Sequence, residues 1–117
     1  MIDIEFYREY CLRKMGVTED TPFDDDVLVF KVGGKIFLLC SISQFSYVNM
    51  KCDPEYAVDL RERFGGITPG YHMNKKHWNS VATDGSVPAD LFFKLIDQSY
   101  DLIVNSLPKK VQAELKK

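Results

Sequence analysis

The stretch VLVFKVGGKIFLLCSI, residues 27 to 42, leaves a chain like this few choices. Two β-branched, apolar runs flank Gly33-Gly34. A two-residue type I′ connection needs positive φ at both central positions, which glycine adopts without a Cβ penalty. The spacing therefore predicts an antiparallel hairpin with strands over 27–32 and 35–42. Alternation puts Leu28, Phe30 and Val32 on one face of the first strand and Val29 and Lys31 on the other. In the second strand Ile36, Leu38 and Cys40 alternate with Phe37, Leu39 and Ser41. Neither face of that strand reads as polar, which places it near the centre of a sheet.

The rest of the chain supplies the partners such a sheet needs. Residues 3–15 carry Ile4, Tyr7, Cys11 and Met15 at three- and four-residue steps, one face of a helix. Asp3 is its expected N-cap and Gly16 its expected stop. VTEDTPFDDD reads as a loop rich in turn residues. YVNMKC (47–52) alternates as a third strand, with Val48, Met50 and Cys52 opposite Tyr47, Asn49 and Lys51. DPEYAVDLRERFGG then has a helix's punctuation: Asp53 as cap, Pro54 at the first helical position, Ala57, Leu60 and Phe64 as the buried stripe, and Gly65-Gly66 as terminator. HWNSVAT has short strand character. TPGYHMNKK before it reads as a loop or an edge strand, since Pro69 is barred from a central strand. From Pro88 to about Ser106 runs the longest helix, its apolar stripe made of Leu91, Phe92, Leu95, Ile96, Leu102 and Ile103. Pro108 opens a last basic turn or two. The expected fold class is a two-layer α+β domain, an antiparallel sheet of four to five strands against helices, in the order α-β-β-β-α-β(β)-α over residues 1–117.

Composition narrows the function. The chain has 117 residues and a formal net charge of −2, so it is one ordinary domain and no general magnet for nucleic acid. No apolar run approaches the roughly 18 residues of a membrane span, and MIDIEFYREY lacks the basic-then-apolar pattern of a signal peptide. Three cysteines with no CxxC fit a reducing cytosol, with thiols buried as small apolar groups. Charge is unevenly spread: acids dominate residues 1–30, lysines dominate 105–117, and the only charged residues in 65–83 are Lys75 and Lys76.

PGYHMNKKHWNSV (69–81) stands out as polar, aromatic and free of acids. Together with KCDPE (51–55), the helix end near Gly65-Gly66, DGS before a proline-started helix, SLPKK (106–110), VTEDTPF (17–23) and VFKVGGKIF (29–37), it closely resembles the MmcQ/YjbR family over nearly the whole chain. The resemblance implies a two-layer α+β fold also seen in secretion chaperones. It also implies the DNA-binding role these proteins are often given, from an arrangement that looks like a double-wing motif. The family brings no catalytic chemistry to transfer to positions here.

The residues themselves offer several readings. Lys75 and Lys76 are adjacent phosphate donors, and Asn74 can bond a base edge or the backbone. Tyr71 and Trp78 have the faces to stack an unpaired base, and His72 and His77 add donors. Lys35, beside the hairpin turn, is a candidate second contact. The same residues have a structural reading, in which His72, Asn74, His77 and Asn79 satisfy irregular backbone over a buried Trp78. His72 and His77, with Cys52 and Asp53, lack a metal-site spacing, so no metal is expected. Cys40 and Cys52 sit in apolar strand positions where a thiol is inert, so no catalytic residue and no cofactor are expected. The competing class is a protein-interaction or homodimerisation module.

Overall fold

The computed structural model describes residues 1–116 and contains ten elements in chain order. These are α1 (Ile4–Leu12), β1 (Val17–Asp20), β2 (Val27–Val32), β3 (Lys35–Ser41), β4 (Tyr47–Lys51), α2 (Pro54–Arg63), β5 (Ile67–Pro69), β6 (Trp78–Ala82), α3 (Ala89–Ser106) and α4 (Lys109–Leu115). The six strands form one antiparallel sheet in the order β1-β2-β3-β4-β6-β5. The two-layer α+β expectation holds, with one strand more than the upper count read from the sequence. The extra strand is β1, which begins the stretch expected to be a loop. Its exposed alternate residues are Thr18 and Asp20, polar side chains that suit an edge strand that must not recruit another chain. Arg8 on α1 holds it in place, donating through Nε to Glu19 at 2.6 Å.

Gly33 and Gly34 take φ of 59° and 81°, the backbone a type I′ turn requires. Beyond the turn the register shifts between Phe30 and Lys31, so that Phe30 faces Leu38 while Lys31 faces Ile36. Phe37 is the extra residue of a β-bulge. Strict alternation would have sent Phe37 to the face opposite Leu38. The bulge instead turns both into the core, where Phe37 meets Tyr100 of α3 edge-on, and leaves Ile36 on the outer face with Lys31. Ser99 on α3 secures the bulge, donating to the Phe37 carbonyl at 2.6 Å and accepting from the Lys51 N–H at 2.9 Å.

The core lies between the sheet and α1, α2 and α3, and centres on Tyr7, Phe30, Leu38, Met50, Leu60, Phe92 and Ile96. Asp3 caps α1 through the Phe6 N–H, and Asp53 caps α2 through the Tyr56 N–H. Three expectations need correction. α1 stops at Leu12, so Met15 lies beyond the helix and is exposed. Leu102 sits at the rim of α3, and the buried stripe takes Ser99 in its place. Gly65-Gly66 is not a left-handed stop, since neither residue has positive φ; a Cβ on Gly66 would instead lie 2.2 Å from Ser86 Oγ.

Candidate nucleic-acid interface

Antiparallel pairing decides which side chains share a face. Met50 is opposite Asn79 and Val48 opposite Val81, all toward the helices. Asn49 opposite Ser80, Tyr47 opposite Ala82 and Lys51 opposite Trp78 therefore look out from the other side. Across this outer face returns the loop 70–77, which joins β5 to β6. Two buried polar side chains hold it there. Ser80 Oγ accepts from the Tyr71 N–H at 3.0 Å, and Asn49 Nδ2 donates to the Tyr71 carbonyl at 3.1 Å. Ser80 Oγ also donates to Asn49 Oδ1, so the pair is closed on itself. Next in the chain, His72 has a φ of 59°, an uncommon left-handed conformation for a residue with a Cβ.

The candidate residues do not all meet. Tyr71 is 58% exposed, with the His72 ring 4.1 Å from its own and the Tyr47 ring at 6.1 Å, nearly perpendicular. Asn74 begins a tight turn, accepting from the Lys76 N–H through Oδ1 and from the His77 N–H through its carbonyl. The Lys75 ammonium donates to the Gly70 carbonyl at 3.1 Å, which puts it beside Tyr71. Lys76 is exposed, and with Lys75, Arg61, Pro54, Glu55 and Val58 it lines a shallow hollow against α2. Arg61 ties that helix to the loop, donating to the Lys75 carbonyl at 2.9 Å and to Asn79 Oδ1 at 3.1 Å. His77 is half-buried, its carbonyl accepting from the Cys52 N–H. Trp78 is only 9% exposed and lies beneath the Lys51 ammonium at 6.0 Å, so its ring offers no stacking platform. Lys35 stands apart: it pairs with core-facing Val32, and its ammonium is 3.5 Å from Ser106 Oγ on the helix side.

Topology nevertheless gathers cations at one end of the sheet. The Gly33-Gly34 turn, the end of β4 and the loop before β6 share that end, because Leu38 faces Met50 and Lys51 faces Trp78. Lys31, Lys51, Lys75 and Lys76 therefore lie toward that end, with Lys35 there on the opposite face, and among the described residues none of the five is in an ion pair. Lys31, Tyr47, Asn49, Lys51, Arg61 and Ser80 are the site residues that sequence reasoning missed.

The cysteines play no part in this surface. All three are buried, and burial pushes the Cys11 thiol far up and the Cys40 and Cys52 thiols each to about 11. A thiol reagent at neutral pH is expected to label none of them in the folded protein and all of them after denaturation. Rapid labelling of native protein would contradict this burial. Among the described residues no three His, Cys, Asp or Glu side chains converge, and no helix is long and apolar enough to cross a membrane.

The structure is that of a small α+β protein whose open sheet carries a pinned, aromatic-basic loop on its outer face. The YjbR family model matches residues 12–102, and the chain belongs to that family. It is 40% identical over 96 residues to uncharacterized protein YbdF of Escherichia coli O157:H7, covering 81% of this chain and 79% of that one. It is 33% identical over 103 residues to uncharacterized protein YjbR of Escherichia coli K12, covering 87% of each. The crystal structure of Deinococcus radiodurans protein DR2400, a DUF419 domain, superposes with a TM-score of 0.93 at 38% identity, over 99% of this chain and 89% of that one. A protein from Pseudomonas syringae superposes at 0.74 and 27% identity, over 86% of this chain and 98% of that one.

Proposed function

We propose that this is a cytosolic, non-enzymatic protein that makes a weak nucleic-acid contact through residues 71–78. The observation that carries the reading is the set of lysines at one end of the sheet that, among the described residues, make no ion pair, with Lys75 and Lys76 on a loop tied down by hydrogen bonds. Phosphate contacts by so few cations give modest affinity and a shallow salt dependence, as fits a chain of net charge −2. Lys31 and Lys51 support Lys75 and Lys76 from the outer face, whereas Lys35 adds to the field from the helix side.

A salt titration of DNA binding tests the reading. Replacing Lys75 and Lys76 together by Ala is expected to weaken binding and to reduce the slope of log K against log salt by about two units in the duplex limit. An unchanged slope would remove these lysines as phosphate contacts. The second reading, a protein-interaction or homodimerisation module, draws on the helix-free outer face, where Val27, Ile36 and Leu39 are only partly covered. Sizing the protein at low and high salt tests for charge-driven self-association.

A further inference from the structure

Burying a polar side chain is costly unless its hydrogen bonds are met, and sheets seldom bury two side by side without reason. Asn49 and Ser80 are 1% and 4% exposed, and their partners beyond one another are the N–H and C=O of Tyr71. What this pair fixes is thus the backbone of an exposed aromatic residue. The left-handed His72 next to it is a conformation that persists only where its surroundings over-determine it. The main chain of Tyr71 is thus held in place beneath an exposed ring.

The ring so held borders an open groove of about 640 Å³, lined among others by Ser46, Tyr47, Gly66, Thr68, Ser80 and Ser86. The rings of Tyr71 and Tyr47 meet at 83°, which makes a right-angled aromatic corner at the groove wall. Burial and the neighbouring Tyr71 raise the Tyr47 phenol, so it stays neutral at physiological pH. Hydroxyls line the floor and sides. Among the described residues Asp84 is the one charged residue in the lining, and it is acidic. Such a groove suits a flat, uncharged, hydrogen-bonding ring and disfavours a phosphate within it. The cations lie outside, beginning with Lys75, whose ammonium reaches the carbonyl of the residue before Tyr71.

Resting on the nucleic-acid reading above, we infer that the ligand is single-stranded nucleic acid, with one unpaired base in the groove against Tyr71 and Tyr47 and the adjoining phosphates toward Lys75 and Lys76. A duplex cannot fill this groove without unpairing and extruding a base, at the cost of its pairing and stacking. A single strand offers its bases freely, and each gains by stacking on an exposed tyrosine.

The test measures anisotropy of a labelled oligothymidylate, a labelled duplex of equal length, and competition by thymidine monophosphate. The single strand is expected to bind more tightly than the duplex. Tyr71→Ala should weaken the single strand by about tenfold, the effect of one lost stack, and weaken the duplex by much less. Tyr71→Phe, which keeps a stacking face, should retain most of the affinity. Duplex binding equal to or tighter than single-strand binding, or indifference of the single strand to Tyr71→Ala, overturns the inference while the lysine contacts stand. Competition by the mononucleotide at concentrations as low as the oligomer's overturns it in favour of a free-nucleotide ligand. Binding of neither polymer overturns this inference and the parent reading together.

Discussion

Replacing Phe92 by Ala is expected to destabilise the protein by about 3–5 kcal/mol, lowering the urea midpoint with little change in slope. Phe92 is fully buried on the sheet-facing side of α3. Its ring stands edge-on to Tyr7 at 6.3 Å and to Phe93 at 5.3 Å, and Tyr7 in turn touches Phe30 and Phe45. Phe92 thus joins α3, α1 and, through Tyr7, the sheet at one point. Total stability of small domains is about 5–15 kcal/mol, so the loss is a large share of it. A loss below about 1 kcal/mol, the mean for arbitrary substitutions, would show that this ring is not the junction of the two layers.

The parts of the fold that were legible in the sequence are those fixed by chemistry within a few residues. The Gly33-Gly34 turn needs positive φ and has glycine at both places. The caps Asp3 and Asp53 sit three residues before the N–H groups they accept from. β1 was hidden because an acid-rich edge strand and a polar loop share a composition, and only the pairing of Val17 with Val32 separates them. The bulge at Phe37 was hidden because β3 is apolar on both sides, so a slipped register leaves no polar residue misplaced to betray it. At the site, the oddity of residues 69–81 was visible, yet the fate of its two large aromatics was not. Composition does not say that Trp78 goes under the loop and Tyr71 over it. Alternation put Asn49 on the face away from the core, which is correct. That this face is covered by a loop returning from 22 residues later is a tertiary fact with no local signal.

Asn49→Ala connects stability to the site. The substitution strips the Tyr71 carbonyl of its donor and the Ser80 hydroxyl of its acceptor. Each of the two groups left without that partner costs about 1–3 kcal/mol, so a combined loss of about 2–6 kcal/mol is expected in urea unfolding. Asn49 is itself too buried to touch a ligand, yet the variant should bind oligothymidylate about tenfold more weakly, because Tyr71 loses its fixed position and must be ordered on binding. Ser99→Ala is the control. It too uncovers two buried backbone groups, the Phe37 carbonyl and the Lys51 N–H, but on the helix side and without contact to Tyr71. It should lose similar stability and keep its affinity. Equal loss of binding in both variants would trace the effect to general loosening, whereas a loss confined to Asn49→Ala assigns it to the pinned tyrosine.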